Sequence, residues 1–234
     1  MRRVTFSGPA LEGFALTSPA AYIKLVFPPA GEHVAPAWAP DGPRPASTRT
    51  YTPLQFRPDV LEVDVDFVLH GEGPASTWAT AAAVGDQLFL NGPGPGYKLE
   101  LDAPHYVLIG DDSALPAVET ILEALPPNAA VTIFVEAVAA DEKRAITART
   151  NVAVHWLYRG EDKHAAGTAL EPALRSARFP PDSRVYIACE STAMRRLRKL
   201  ITDEHRIPAS HIVGRGYWKL GAVNHPDHDY GEDG

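Results

Sequence analysis

The chain has 234 residues, of which 45% are apolar and 22% charged, a composition typical of a folded protein with one large domain or two of modest size. Its net charge of −7 argues against binding duplex nucleic acid, which needs a basic face, and its single cysteine, Cys189, excludes an internal disulfide framework and a cysteine-rich metal site. No apolar run approaches the roughly 20 residues that span a bilayer and no secretory signal opens the chain, so we predict a cytoplasmic monomer without a membrane partner.

The first half of the chain is rich in predicted strands. Residues 3–6 and 22–27 are typical of strands, and residues 28–45, which carry six prolines, predict a loop. Residues 59–69 alternate with a period of two and predict the clearest strand of the sequence. Because four side chains at alternate positions cannot all be buried, one face of this strand is predicted to be wet or to meet a ligand. The residues concerned are Val60, Glu62, Asp64 and Asp66.

The motif Arg49-Thr50-Tyr51-Thr52 joins a fixed cation, a flat ring and a hydroxyl in an extended segment. If the segment is a β-strand, Arg49 and Tyr51 share one face, because successive side chains alternate. A guanidinium binds a phosphate pair through parallel hydrogen bonds, and a phenol ring packs against a conjugated ring, so this face suits FAD. The alternative interpretation is an ordinary edge strand with an exposed charge.

A glycine-rich turn and a short helix follow the predicted strand at 59–69. Residues 71–79 begin with two glycines and Pro74, and Ser76 or Thr77 is predicted to cap the helix. The first N–H groups of a helix bind anions, so this helix start is a second candidate phosphate site. The alternative is a helix that only closes the end of a β-barrel. The next strand is predicted at 87–90.

The second half of the chain alternates strands with helices. Strands are predicted at 106–109, 131–135, 152–157 and 185–188, and helices at 114–125, 170–178 and 192–205. The strands are apolar, as expected where helices cover both faces of a parallel sheet. Ligands of such a sheet bind at the carboxyl ends of its strands, here 110–113, 136–139, 158–159 and 189–192. No Gly-x-Gly-x-x-Gly or Walker sequence follows these strands, so a standard dinucleotide fingerprint is absent.

Several motifs follow one another in a fixed order. They are Arg49-Thr50-Tyr51-Thr52, residues 66–71 with 73–79, Gly110-Asp111-Asp112-Ser113-Ala114-Leu115-Pro116-Ala117, Trp156-Leu157-Tyr158-Arg159, residues 190–194, and Gly216-Tyr217-Trp218-Lys219 with Gly221. Together they resemble the siderophore-interacting proteins, ferric-siderophore reductases of the ferredoxin reductase-like superfamily. The resemblance covers essentially the whole chain. It implies an antiparallel FAD-binding β-barrel over residues 1–101 and an α/β domain with a parallel sheet, receiving NAD(P)H, over residues 102–234.

The resemblance also implies which residues bind each ligand. FAD would be bound by Arg49, Thr50, Tyr51, Thr52, Asp66, Phe67, Val68, His70, Pro74, Ala75, Ser76 and Trp78. The nicotinamide nucleotide would lie against Asp111, Ser113, Leu115, Cys189, Glu190 and Met194. The anionic ferric siderophore would meet Lys219 and Trp218, which the family ending places near the flavin edge. No side chain is needed as a catalytic acid or base, because the flavin carries the chemistry.

The implied function is reduction of ferric siderophores, with electrons passing from NAD(P)H through FAD to Fe(III) and Fe(II) released in the cytoplasm. Two alternatives stay open. One is an electron-relay or binding module fed by ferredoxin, which is the donor in some members of the family. The other is a free flavin or quinone reductase.

Four further features have competing interpretations. The helix after Cys189 carries four cations that would attract a nucleotide phosphate or form a solvated face: Arg195, Arg196, Arg198 and Lys199. The tract His225-Pro226-Asp227-His228-Asp229 contains metal-ligand residue types, but Pro226 breaks helical spacing and an ordinary polar terminus is the simpler prediction. His155 is predicted to be a core histidine. Asp112 or Ser113 is predicted to cap the helix at 114–125.

Overall fold

A computed structural model describes residues 1–39, 41–71, 73–146, 149–162, 166–222, 225 and 229. The chain divides into two compact units, residues 1–98 and residues 99–234. The described elements of the first unit are strands β1 (Arg2–Ser7), β2 (Tyr22–Val26), β3 (Thr48–Tyr51), β4 (Pro53–Arg57) and β5 (Glu62–Phe67), helix α1 (Pro74–Ala81) and strand β6 (Phe89–Gly94).

The strands of the first unit pair antiparallel in two sheets, in the orders β1-β5-β4 and β3-β2-β6. Alternation along β2 and β5 directs apolar side chains to one face, where Ile23, Leu25, Val65 and Phe67 are 0% exposed and belong to one core cluster. The predicted antiparallel fold is therefore confirmed for this unit. Closure of the two sheets into one barrel stays a prediction.

The second unit alternates strands with helices. Its described elements are β7 (His105–Asp111), α2 (Leu115–Ala124), β8 (Ala130–Ala137), β9 (Val152–Tyr158), α3 (Leu170–Ser176), β10 (Arg184–Glu190), α4 (Ser191–His205) and β11 (Ile212–Trp218). The strands form a parallel sheet in the order β11-β10-β7-β8-β9, which confirms the predicted α/β fold. Helix α4 packs on the sheet through Met194, Leu197 and Ile201, which recur at helical spacing and are 0% exposed.

Strand β9 departs from the predicted buried pattern. It lies at the edge of the sheet, where its one partner among the described strands is β8, and its side chains alternate between half-buried and exposed. His155 is exposed and stacks on Phe134 with ring centroids 4.8 Å apart. The prediction of a core histidine is therefore wrong, because an edge strand lacks cover on one side.

Several element boundaries differ from the predicted ones. The strand predicted at 59–69 is limited to β5, because Leu61 has a φ of 51° and belongs to the turn before it. Strands β4 and β11 were not predicted, since Pro53 opens one and glycines interrupt the apolar pattern of the other. The strand predicted at 87–90 begins at Phe89. Within the described ranges, every helix is too short or too polar to cross a bilayer.

Candidate functional site

The predicted strand at the 49–52 motif is confirmed as β3, which pairs with β2 and places Arg49 and Tyr51 on the same face. Arg49 Nη1 donates to the carbonyl oxygens of Ala46 at 2.9 Å and Thr48 at 2.8 Å, which holds the guanidinium beside its own strand. Burial lowers the pKa of Arg49 and raises the pKa of Tyr51. A cation and a phenol are thus fixed on one partly buried surface.

Tyr51 belongs to a group of rings that we call the aromatic cluster: Phe6, Phe27, Tyr51, Phe67 and Trp78. Phe67 is its centre, with ring centroids 4.6 Å from Tyr51, 5.8 Å from Trp78 and 6.2 Å from Phe27. Trp78 Nε1 is buried and has no hydrogen-bond partner among the described residues. A ring surface with a spare buried donor fits a flat conjugated ligand that carries polar ring atoms, as the flavin of FAD does.

Helix α1 begins after Gly73, which has a φ of 83°. No side chain of the described residues caps this end, so the predicted capping by Ser76 or Thr77 is wrong. Ser76 lies in the first turn instead, and its Oγ accepts hydrogen bonds from the N–H of His70 at 3.0 Å and of Gly71 at 3.2 Å. The loop is thereby tied to a helix start whose N–H groups suit the diphosphate of FAD.

The other predicted FAD residues differ in exposure. Ala75 is part of the core of the first unit, and Thr52 is 9% exposed. Val68 and Pro74 are half-buried, whereas Thr50 and His70 are exposed. These surroundings do not assign a ligand contact to any of them, so their roles stay predictions.

The acidic residues of β5 are covered by arginines. Asp66 accepts from Arg3 Nε at 2.7 Å and Nη2 at 3.1 Å, and Asp64 accepts from Arg57 Nη1 at 2.7 Å and Nη2 at 2.8 Å. Asp64 and Asp66 are only 7% and 4% exposed. The Arg57 hydrogen bonds hold the pKa of Asp64 below its ordinary value. The prediction that these two carboxylates face water is therefore wrong, because bidentate ion pairs to β1 and β4 allow them to be buried. Contact of Asp66 with FAD stays a prediction.

In the second unit, Asp111 stands at the carboxyl end of β7 and is 3% exposed. Its Oδ2 accepts from Trp218 Nε1 at 2.8 Å and from the N–H of Glu190 at 3.1 Å. Its Oδ1 accepts from the N–H of Ser113 at 3.0 Å and from the Ser113 hydroxyl. The Asp111 carboxylate thus joins Ser113, Glu190 and Trp218, all of which are predicted site residues. Asp111, rather than Asp112 or Ser113, caps the turn that precedes α2, which corrects the predicted cap.

Glu136 and Glu190 end the strands on either side of β7 and are 1% and 4% exposed. Glu136 accepts from the N–H of Gly167 at 2.7 Å and of Ala169 at 2.9 Å, and Glu190 from the N–H of Ala193 at 2.8 Å. Burial raises the pKa of Glu136 and of Asp111. Carboxylates at the strand ends therefore accept hydrogen bonds from several backbone N–H groups nearby. Sequence analysis missed Glu136, although its strand-end position was the available signal.

The remaining predicted nucleotide residues are in the core. Leu115, Cys189 and Met194 are 2%, 1% and 0% exposed, so their side chains present no surface to a ligand. Burial raises the pKa of the Cys189 thiol well above its ordinary value, which makes it a poor nucleophile. Lys219 is exposed. Contact of these residues with a nucleotide or a siderophore stays a prediction.

The predicted solvated face of α4 is only partly correct. Lys199 pairs with Asp203 at 2.7 Å on the exposed surface, whereas Arg195 Nη2 donates to Asp229 at 2.7 Å and that carboxylate is 8% exposed. Asp229 is therefore not the ordinary polar terminus that was predicted, and its pairing could not be inferred from local sequence. Pro226, Asp227 and His228 of the same tract lie outside the described residues. Among the residues described, no group of three or more metal-ligating side chains occurs.

Asp112 gives a pH-dependent prediction. Burial and repulsion from Asp111 raise the pKa of Asp112 to about 7. A carboxyl whose pKa is higher in the folded than in the unfolded chain, where it is about 3.9, loses its stabilising contribution as pH rises through the folded value. We expect Asp112→Asn to be more stable than the wild type at pH 8, with the gap narrowing as pH falls below about 7. Urea denaturation at pH 8 and 5.5 measures the difference in the free energy of unfolding between the two proteins. The exposed Asp182→Asn is the control, and an equal gap at both pH values would contradict the prediction.

Comparison with known proteins assigns both units to one family. Residues 1–97 match the siderophore-interacting FAD-binding domain and residues 103–221 match the siderophore-interacting protein model. Ferric vibriobactin reductase ViuB of Vibrio cholerae is 33% identical, over 97% of this chain and 87% of its own length. The NADPH-dependent ferric-chelate reductase of Escherichia coli K12 is 29% identical, over 93% of this chain and 86% of its own. A siderophore utilization protein from T. fusca has a crystal structure that matches with a TM-score of 0.84 and 31% identity, over 97% of this chain and 89% of that one. The chain therefore belongs to the siderophore-interacting protein family, with the FAD-binding domain of that family in its first unit.

Proposed function

We propose that the protein is an FAD-dependent reductase of ferric siderophores that takes electrons from NAD(P)H and releases iron as Fe(II). The observation that carries this proposal is that Arg49 shares one face of β3 with Tyr51, a member of the aromatic cluster, in a unit that matches an FAD-binding domain. The relatives named as ferric vibriobactin and NADPH-dependent ferric-chelate reductases support the acceptor and the donor. The domain limits 1–101 and 102–234, the cytoplasmic location and the monomeric state stay predictions.

The residues of the first unit would bind and shape the cofactor. The Arg49 guanidinium and the start of α1 would hold the diphosphate, Tyr51 would pack against the flavin ring, and Trp78 Nε1 would donate to a polar atom of the ligand. Bound FAD supplies the conversion of a two-electron hydride donor into two one-electron reductions, one for each of two Fe(III) ions. Siderophores bind Fe(III) far more tightly than Fe(II), so reduction alone releases the metal.

Arg49→Gln is expected to weaken FAD binding by about 10- to 100-fold, the value of one lost charged hydrogen-bonding partner. The measurement is the dissociation constant of FAD, from quenching of flavin fluorescence on titration into apoprotein. Arg44→Gln is the matched control, because Arg44 Nη2 donates to Thr50 Oγ1 at 3.4 Å, and Thr50 alternates with Arg49 on β3. Equal FAD affinity in Arg49→Gln and wild type would remove Arg49 from the cofactor site.

Lys219 is proposed to attract the anionic ferric siderophore, since it is exposed and directly follows Trp218, whose indole N–H is bonded to Asp111. We expect Lys219→Ala to raise KM for an anionic ferric siderophore about three- to ten-fold, as for loss of one exposed ion pair, with kcat little changed. Lys143→Ala, which removes another exposed cation of the same unit, is the control. An unchanged KM for every ferric siderophore tested would exclude this role.

An anaerobic coupled assay tests the function as a whole. FAD-loaded protein is mixed with NADH, NADPH or reduced ferredoxin, and flavin bleaching reports which donor reduces it. Ferric siderophore and an Fe(II)-specific chelator are then added, and the coloured Fe(II) complex reports the acceptor. We expect bleaching by a pyridine nucleotide and chelator colour that requires the protein. Bleaching without Fe(II) would contradict the proposal and favour a free flavin or quinone reductase.

A further inference from the structure

The Asp229 carboxylate is held at the start of α4 by donors from several directions. Its Oδ1 accepts from Arg195 Nη2 at 2.7 Å, and its Oδ2 accepts from the Ser191 hydroxyl and contacts His225 Nε2 at 3.0 Å. Arg195 Nη1 also donates to the Ser191 carbonyl oxygen at 3.2 Å and to the Ser191 hydroxyl. Ser191, Arg195 and His225 therefore converge on one anion.

The Asp229 side chain is closely surrounded. The Asp229 side chain is 8% exposed, and the Asp229 carbonyl oxygen accepts from the N–H of Gly216 at 2.8 Å. A methyl group on Gly216 would lie 2.7 Å from Asp229 Oδ2 and 3.0 Å from the Ser191 Cβ. The place at the carboxyl end of β11 is thus shaped around an oxyanion by the absence of a side chain at residue 216.

The chemistry of these donors is that of a phosphate site. A planar guanidinium, a hydroxyl and the positive end of a 15-residue helix all favour an oxyanion. The carboxylate here does not act as the helix cap, because Glu190 accepts from the N–H of Ala193 in that role. Asp229 is instead a second anion, brought to the helix start from a distant part of the sequence.

The neighbouring strand ends offer fewer hydrogen-bond donors to a phosphate. Asp111, Glu136 and Glu190 already occupy backbone N–H groups there, and their negative charges oppose a second anion. Arg195, whose side chain is 37% exposed, offers a cation that an incoming ligand can reach at this edge of the sheet.

We infer that Ser191 and Arg195 form a binding site for a phosphate group of the pyridine-nucleotide donor, and that the Asp229 carboxylate is a resident anion that competes with this phosphate. The identity of the donor rests on the proposed function. The site itself rests on the contacts of Asp229, Ser191, Arg195 and Gly216. In this arrangement the protein sets donor affinity through a carboxylate of its own chain.

The test is equilibrium binding of NADP⁺ and NAD⁺ to the FAD-loaded protein by isothermal titration calorimetry. Asp229→Asn keeps the side-chain shape but weakens the competitor, so we expect NADP⁺ to bind about three- to ten-fold more tightly, as for removal of one partly exposed ion pair. Arg195→Gln should bind NADP⁺ more weakly than the wild type. In the double variant, the gain in affinity from Asp229→Asn should vanish, because the Arg195 guanidinium that would bind the phosphate is missing. Tighter binding of both nucleotides places the pyrophosphate at the site, and a gain confined to NADP⁺ places the 2′-phosphate there.

Asp203→Asn is the matched control, since it removes a carboxylate paired with a cation on the same helix. Equal affinities in Asp229→Asn and wild type, a gain as large in Asp203→Asn, or a gain that persists in the double variant would each overturn the inference. The proposed function is judged separately by Fe(II) release. If the wild type reduces ferric siderophore but Asp229→Asn binds nucleotide with unchanged affinity, only the inference is refuted. If Asp229→Asn binds NADP⁺ more tightly but the wild type releases no Fe(II), only the proposed function is refuted.

Discussion

Phe67→Ala is expected to lower the free energy of unfolding of the first unit by about 3–5 kcal/mol, the usual cost of deleting a buried phenylalanine ring, and to abolish FAD retention. Phe67 is 0% exposed and lies at the centre of the aromatic cluster. Its ring centroid is 4.6 Å from Tyr51 and 5.8 Å from Trp78. Removing the ring leaves a cavity directly beneath the two side chains that we place against the flavin, so stability and cofactor binding should fall together.

The measurements are urea denaturation of the apoprotein and the flavin absorbance of purified protein. Phe56→Ala is the matched control, because Phe56 is half-buried, belongs to the same unit and packs edge-to-face against Phe14, outside the aromatic cluster, with ring centroids 5.0 Å apart. It should lose less stability and stay yellow. Phe67→Leu, which keeps most of the apolar volume, should cost less than about 1.5 kcal/mol. A yellow Phe67→Ala protein would show that the aromatic cluster does not position the flavin.

The features that the sequence predicted correctly depend on local periodicity. Alternation along residues 48–51 is enough to place Arg49 and Tyr51 on one face, and the alternating strands and helices of the second half are enough to indicate a parallel sheet. These features require no knowledge of which strand lies beside which. They account for the fold class and for the aromatic and cationic character of the first candidate site.

The features that the sequence did not predict depend on partners distant along the chain. Asp64 and Asp66 were expected to face water or ligand, and they are buried because β1 and β4 bring Arg3 and Arg57 alongside. Asp229 was treated as a polar terminus, and it meets Arg195 34 positions away. No propensity scale records such pairings, since they arise from strand order and register rather than from neighbouring residues.

The strand-end carboxylates show the same limit in a different form. The sequence shows two adjacent aspartates, but it does not reveal how their hydrogen bonding differs. Burial raises the pKa of both aspartates, and with repulsion from Asp111 it raises that of Asp112 to about 7. Asp111 differs because it receives four hydrogen-bond donors, which favour its charged form. Two adjacent aspartates therefore have opposite energetic roles, which a substitution at each can separate.

Asp111→Asn is expected to destabilise the second unit by about 2–4 kcal/mol, although the change is nearly isosteric. Both oxygens of Asp111 accept hydrogen bonds: Oδ2 from Trp218 Nε1 and the N–H of Glu190, and Oδ1 from the backbone and hydroxyl of Ser113. An asparagine must turn its NH₂ group toward one of these pairs, so at least one buried N–H donor faces another donor and loses its acceptor.

Urea denaturation at pH 8, with tryptophan fluorescence as the probe, measures the effect at Asp111, and Asp112→Asn is the matched control one residue away. The two variants make the same chemical change in the same loop, yet we expect Asp111→Asn to be less stable than the wild type and Asp112→Asn to be more stable, because the pKa of Asp112 is raised to about 7. Loss of nucleotide binding should accompany only the first, since Trp218 and the start of α4 are joined through Asp111. Two variants that shift stability in the same direction would contradict the assignment of Asp111 as the acceptor that organises these strand ends.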